Sequence, residues 1–294
     1  MPMVGVMKDR FQWVLYAFFV GLMFIMLYPF WHTLMGSLMS YREYLERTLL
    51  IWVSDPTIRN YVHIFTDGDI FSPMRVTVFI TVVGTVTSLL FTAYAAYGLS
   101  KRFPGSYLIM VLIVITMFVN PGLIPRYMVM KQLGLLDSYL VYLLPFPALC
   151  NTFNLIVMRT YFGAFSHEVE ESALMDGCSH FGVFVRIVLP LSKPILATIG
   201  LFYAVQFWNT FFQSLFFVTD QSKQTLQHYL FRIVKAFSRE TESQAAQEFG
   251  DDEGLTFQTI VLANVMVTVI PIIIVYPFLQ KYFVKGVMIG SVKG

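Results

Sequence analysis

Residues 76–100 read VTVFITVVGTVTSLLFTAYAAYGLS, a run without Asp, Glu, Lys or Arg between Arg75 and Lys101. A helix rises 1.5 Å per residue, so about 20 apolar residues cross a hydrocarbon core roughly 30 Å thick. Five further charge-free runs lie at 11–41, 103–125, 138–158, 194–219 and 254–280, each of at least 20 residues. Over the 294 residues, 56% are hydrophobic and 13% charged, against about 25% charged in a soluble domain. The mean hydropathy is +0.65. This pattern excludes a soluble enzyme, a nucleic-acid binder and a disordered chain. It predicts an all-α, polytopic membrane protein with six transmembrane helices.

The spans are expected over residues 13–38, 76–99, 106–125, 139–159, 194–217 and 256–280 of a single 1–294 domain. Polar loops fill 41–75 and 220–253 on one side of the membrane, and a polar loop fills 163–193 on the opposite side. Lys8 and Arg10 precede a first run of 31 residues. A secretory signal core is only about 7–15 residues long, so this run reads as an uncleaved first span. Asn120-Pro121-Gly122 should break the third span near its end, and Pro145 and Pro147 fall inside the fourth. With the termini inside, the 20 Lys and Arg divide evenly between the two faces. Only the short basic turn at Lys101-Arg102, hugging the membrane, favours that orientation. Cys150 and Cys178 are placed unsuitably for a disulfide.

Within the six runs His32 is the single residue among His, Asp, Glu, Lys and Arg. Ion-coupled transporters and proton pumps place such groups at mid-membrane, so ion coupling is disfavoured. The chain has no G-x-x-x-x-G-K-[ST] phosphate loop, no H-E-x-x-H, no paired-cysteine zinc spacing and no G-x-S-x-G. Neither ATP hydrolysis nor an embedded enzyme is supported, and no metal site is expected.

The polar loop 163–193 is the most organised stretch outside the runs. It reads as two short helices at an angle. Ser166 can cap the first, whose Glu168, Glu170 and Glu171 suit the positive end of its dipole. Gly177 suits a left-handed C-cap, Ser179 can cap the second helix and Pro190 can stop it. Phe181, Phe184, Val185 and Val188 form an apolar stripe. Composition alone allows an amphipathic hairpin lying on the membrane.

Glu171, Ala173, Asp176, Gly177, Ile187, Leu189 and Pro190 stand at the spacing of the E-A-A…G…I-x-L-P loop. That loop marks the permease subunits of binding-protein-dependent ABC importers, which this chain resembles over nearly its whole length. Ser172 departs from the family's usual second alanine. Leu191-Ser-Lys-Pro194 and Trp208-Asn209 are similar to sugar permeases. Tyr276 to Gly286 and the Val292-Lys293-Gly294 end look like the polysaccharide and complex-oligosaccharide branch.

The resemblance implies a type I ABC importer permease fold in a bacterial cytoplasmic membrane, with both termini cytoplasmic. Its first loop helix would be the coupling helix, seated in a cleft of an ATP-hydrolysing subunit. Glu171, Ser172, Ala173, Asp176, Gly177, Ile187, Leu189 and Pro190 would form that contact, with Ala173 allowing close approach. The tail residues Gly290, Ser291, Val292, Lys293 and Gly294 would reach the same ATPase. Implied partners are a second homologous permease, two nucleotide-binding subunits carrying ATP and magnesium, an extracellular solute-binding protein, a carbohydrate and membrane lipid. No cofactor would be bound by this chain, and nucleic acid is not a partner.

Sugar hydroxyls and ring faces suit the uncharged polar and aromatic residues Asn151, Asn154, Gln206, Trp208, Asn209 and Gln213. Gln206, Asn209 and Gln213 are spaced i, i+3, i+7, as on one helical face. The competing reading is hydrogen bonding between helices of the bundle. No span carries a small-xxx-small seam that would place the partner permease. Leu226, Tyr229, Leu230, Ile233, Val234 and Phe237 predict an amphipathic outer helix, followed by an acidic loop at 240–253. An ATP-driven sugar permease leads. An ion-coupled secondary transporter acting alone is the alternative, and an export or assembly scaffold a third.

Overall fold

A computed structural model of the chain describes residues 3–47, 49–66, 69–101, 103–119, 121–144, 148–165, 167–242 and 257–291. Regular structure among them is helical throughout. The helices are α1 (Met3–Ser37), α2 (Tyr41–Glu46), α3 (Arg59–Thr66), α4 (Phe71–Ser100), α5 (Ser106–Phe118), α6 (Leu123–Gln132) and α7 (Leu140–Leu143). They continue as α8 (Thr152–Gly163), α9 (His167–Met175), α10 (His180–Leu191), α11 (Lys193–Trp208), α12 (Phe212–Phe217), α13 (Leu226–Glu242) and α14 (Phe257–Ser291).

Among the described residues, three stretches are long and apolar enough to cross a membrane: Gln12–Ser37, Phe71–Ser100 and Gln258–Val275. Two bent pairs, α5 with α6 and α10 with α11, raise the number to five if each is one span. The first pair breaks at the expected place, where Pro121 removes a donor and Gly122 takes φ +76°. The expected helix over 139–159 is instead two pieces, α7 and α8, with a non-helical Asn151 starting the second. Its Pro145 and Pro147 lie outside the described residues. The expected helix over 194–217 also divides, because α11 ends at Trp208 and α12 begins only at Phe212.

The chain forms two compact units, Met1–Asp69 with Leu230–Ile270, and Ile70–Tyr229 with Pro271–Gly294. In the first, the apolar side chains of α1 from Trp13 to Trp31 are all exposed, as expected of a surface facing lipid. A buried side chain helps to secure the C-terminal end of α1. Asn60, 1% exposed, donates from Nδ2 to the carbonyls of Ser37 (2.9 Å) and Met39 (3.2 Å). Its Oδ1 accepts from Thr259 Oγ1 at 3.0 Å. Orphan carbonyls at a helix end must find donors, and here an amide supplies them.

The second unit is built around α4, which packs against α8 and α11. Gly84, Ser88, Thr92 and Ala96 recur every fourth residue and are all buried. They form the small-residue seam that the sequence reading did not recognise, and it serves packing within the chain. A Cβ on Gly84 would lie 2.6 Å from Phe207 Cζ, so the ring sits flat on bare backbone. Thr92 Oγ1 is 2.6 Å from the Tyr203 hydroxyl, which also accepts the Asn151 N–H at 2.9 Å. Ser88 Oγ donates to the Ala148 carbonyl at 2.9 Å. Ala93, Tyr97, Leu155, Met158, Phe162, Ile199 and Phe207 fill the core around this seam. A smaller cluster of Val76, Ile80, Met130, Val141, Tyr142, Phe217 and Val218 closes the other end of α4.

A clasp at Asp137 ties the turn before α7 to the segment after α12. Its backbone is left-handed at φ +55°, a conformation Asp adopts more readily than most residues. Oδ1 accepts the N–H groups of Thr219 (2.6 Å) and Asp220 (2.9 Å), and Oδ2 accepts the Thr219 hydroxyl at 2.6 Å. Lys223 Nζ donates to the Asp137 carbonyl at 2.9 Å. The Thr219 hydroxyl and then the Asp220 amide hold the Asp137 carboxyl below its ordinary pKa.

Two outcomes follow from this packing. Gly84→Val forces a branched side chain into the Phe207 ring and should cost about 1–3 kcal/mol, read as a lower thermal midpoint in detergent. Adding Phe207→Ala should make the double change less damaging than the sum of the two. The stabilisation from the clasp is present above the usual carboxylate range and is lost as pH falls through the depressed Asp137 pKa. The protection of the Thr219 and Asp220 amides, taken as exchange relative to the intrinsic rate at each pH, should therefore fall on acidification, and Asp137→Asn should abolish that fall.

Candidate functional site

The polar loop folds into two helices that meet at a sharp turn. Glu168 and Glu170 lie in the first turn of α9, where carboxylates favour the positive dipole end. Ser166, the expected cap, lies outside the described residues. Gly177 closes α9 at φ +84°. The Cys178 N–H reaches the Ala173 carbonyl and the Gly177 N–H that of Leu174, each at 3.0 Å. This 6→1 and 5→2 pair is a Schellman motif, and it satisfies the last carbonyls of α9. Ser179 caps α10 as expected, its Oγ accepting the Gly182 N–H at 3.1 Å.

Pro190 does not stop α10. The helix passes through a π segment at Phe184–Val188 and continues to Leu191, then the chain turns by 84° at Ser192 into α11. The wider π turn changes the hydrogen-bond register just ahead of proline, which has no N–H to give. The apolar stripe also differs from expectation. Val183, Phe184 and Val188 are buried, whereas Phe181 and Val185 are exposed.

The α9 helix has two faces. Glu171, Ser172, Met175, Asp176 and Gly177 are exposed, with Met175 87% open. Ala173 and Glu170 are buried, each 8% exposed, and Ala173 joins the core that includes Tyr97, Phe162 and Phe184. Glu170 forms an ion pair with Lys101 at the end of α4. Lys101 Nζ lies 4.6 Å from the centre of the Tyr97 ring, which stacks on Phe184 with centroids 5.1 Å apart. Beside them Arg159 Nε donates to the Leu99 carbonyl at 2.9 Å, answering one orphan acceptor of α4. In the sequence Lys101 bears on orientation and Glu170 on the helix dipole. Their pairing joins residues 69 positions apart, a separation at which no periodicity acts. Ile187 and Leu189 pack partly buried against the same core, and Pro190 is exposed.

The residues considered for a sugar path sit in different surroundings. Asn151 caps α8, its Oδ1 accepting the Phe153 and Asn154 N–H groups at 2.9 and 3.3 Å. Asn154 is buried at 3% exposure. Trp208 lines an apolar cavity of about 170 Å³ with Thr81, Leu201, Ala204, Val205, Pro271, Ile272 and Val275. Asn209 is exposed and donates from Nδ2 to the Val205 carbonyl at 2.9 Å. Gln206 and Gln213 are half-buried. The single helical face expected for Gln206, Asn209 and Gln213 is not formed, because residues 209–211 are non-helical. The buried hydroxyls of Thr92 and Tyr203 were missed. The signal lay in Thr92 sharing a four-residue repeat with Gly84, Ser88 and Ala96.

Gly290 and Ser291 end α14, while Val292, Lys293 and Gly294 lie outside the described residues. Among the described residues no three His, Cys, Asp or Glu side chains group as metal ligands.

Comparison with known proteins fits this geometry. A polygalacturonan/rhamnogalacturonan transport system permease protein, YtcP of Bacillus subtilis, is 39% identical over 290 residues, covering 98% of this chain and 100% of YtcP. LplC of the same organism is 42% identical over 279 residues, covering 94% and 92%. A chain in the crystal structure of a bacterial ABC transporter importing the acidic polysaccharide alginate superposes with a TM-score of 0.83 at 33% identity, covering 94% and 98%. Residues 88–289, which include the whole of α8–α13, match the binding-protein-dependent transport system inner membrane component family. The chain belongs to that family, and is thus a permease component of an ABC transport system in the inner membrane.

Proposed function

We propose that this chain carries oligosaccharides or polysaccharide fragments into the cell as the permease of an ATP-driven importer working by alternating access. Support comes from relatives named for polygalacturonan, rhamnogalacturonan and alginate transport. The chain spans the membrane six times with both termini cytoplasmic, using α1, α4, α5–α6, α7–α8, α11–α12 and α14. Family membership favours this over the ion-coupled transporter acting alone. The chain is no enzyme. ATP and magnesium belong to two nucleotide-binding partners, a second homologous permease completes the pore, and an extracellular binding protein delivers the sugar. Asn151, Asn154, Gln206, Trp208, Asn209 and Gln213 are the candidates for the sugar path.

The observation carrying the coupling role is the exposed, acidic face of α9 held on a rigid base. Glu171, Ser172, Asp176 and Gly177 meet the ATPase cleft. Ala173, Ile187 and Leu189 seat the loop on its own core, and Pro190 borders it. The tail, Gly290 to Gly294, is a second contact. When the ATPases close on ATP, motion of α9 passes through the Glu170–Lys101 pair to the end of α4. The coupling works only if ATP and sugar each bind one conformation better than the other.

Substitutions at Glu171, Gly177, Lys101 and Glu170 test this in an assembled complex. Glu171→Ala should leave insertion intact and reduce sugar-stimulated ATPase activity about tenfold, the loss of a charge-assisted contact. Gly177→Val should be worse than Gly177→Asn, because a branched residue resists positive φ whereas Asn tolerates it. Equal stimulated ATPase activity in both Gly177 variants and in the unaltered chain would sink the assignment. Lys101→Met leaves a buried carboxylate unpaired, and should raise hydrogen exchange across 167–175 while uncoupling ATPase from uptake. Combining it with Glu170→Gln should recover part of the protection.

A further inference from the structure

One open cavity lies away from the coupling loop, at the other end of α4. It has a volume of about 460 Å³ and is lined by Ser72, Arg75, Val76, Phe79, Tyr139 and Ser222. The four α4 residues follow i, i+3, i+4, i+7, so they share one helical face. That face offers a guanidinium, a hydroxyl and an aromatic ring to the same space.

The walls are held in place. Phe79 and Tyr139 meet edge to face with centroids 5.5 Å apart, so each ring fixes the other. Ser72 Oγ donates to the Ser222 carbonyl at 3.1 Å, which joins α4 to the segment after α12. The Asp137 clasp holds that segment from the other side. The two acids on these segments are already occupied. Asp137 accepts from Thr219 and Asp220, while Asp220 accepts from Ser222 and pairs with Lys223 at 3.1 Å. Arg75 is exposed, and its side chain makes no ion pair among the described residues.

The geometry points to a uronate subsite: Arg75 takes the carboxylate of an acidic sugar ring whose apolar C–H face rests on the Phe79–Tyr139 pair. This rests on the sugar-import reading and deepens it, by making the permease itself a selector for acidic sugars. The planar guanidinium fork matches a carboxylate with two parallel N–H···O bonds, which a neutral hydroxymethyl group cannot accept in that form. The rings supply apolar contact that does not depend on charge. Cavities of about 300–1,000 Å³ suit small ligands, and one ring of a longer oligosaccharide fits this space. In the orientation proposed above, the cavity opens on the outer side, where sugar arrives.

The test uses the complete importer in proteoliposomes with its binding protein. ATP-driven uptake is measured for trigalacturonate and for its carboxyl-reduced, neutral counterpart. Arg75→Gln should lower the acid-to-neutral uptake ratio about tenfold, the value of one charge-assisted pair in a wet site. Arg75→Lys keeps the charge without the fork and should fall between. Tyr139→Leu should lower uptake of both sugars alike and leave the ratio where it was. An unchanged ratio in Arg75→Gln, with both sugars still imported, overturns the subsite and leaves sugar import standing. If the unaltered complex imports neither trisaccharide nor any other oligosaccharide, the import reading itself fails.

Discussion

The second unit depends on how closely α11 can approach α4. Apolar side chains gain little from each other inside a lipid bilayer, where hydrocarbon surrounds them in any case. Close van der Waals contact and buried hydrogen bonds must hold helices together instead. The Gly84, Ser88, Thr92 and Ala96 seam provides the first, because it lets Phe207 lie on bare backbone. Tyr203 provides the second, tying Thr92 on α4 to the backbone of Asn151. One phenol thereby joins α4, α11 and the start of α8.

The same helix carries a buried ion pair at one end and an open cavity at the other. At one end Lys101 holds the buried face of α9 through Glu170. At the other, Arg75 and Phe79 line an open cavity beside the Asp137 clasp. Both ends belong to one helix of 30 residues, Phe71–Ser100. Close-packed interiors deform little and shift between discrete arrangements. The membrane keeps full charges out of the middle of α4, so Arg75 and Lys101 stand at its two ends.

The spacing of Glu171, Gly177 and Ser179 was sufficient to foresee two short helices, a left-handed turn and a cap. These features are local, and each depends on the backbone needs of one or two residues. The π segment at Phe184–Val188 was not legible, since it depends on which side chains the core will accept. The divided helices at 139–159 and 194–217 were not legible either. Apolar composition says that a stretch prefers lipid or core, and it does not say that the backbone within it stays helical. Ala173 is read from the sequence as allowing close approach of the ATPase, whereas the structure buries it in the chain's own core.

Sequence by itself determined the solvent. Six charge-free runs and 13% charge can only be satisfied by a chain that hides its backbone polar groups in helices within a membrane. It also determined the family, because a loop motif fixes residue types at turn and cap positions where local geometry tolerates few others. Tertiary structure alone decided which distant groups meet: Glu170 with Lys101, Tyr203 with Thr92, Asp137 with Thr219, and Arg75 with Tyr139 across one cavity. These contacts join segments separated by tens of residues. Helical periodicity and composition carry no information over that distance, and the pairings emerge only once packing has chosen the register of each helix.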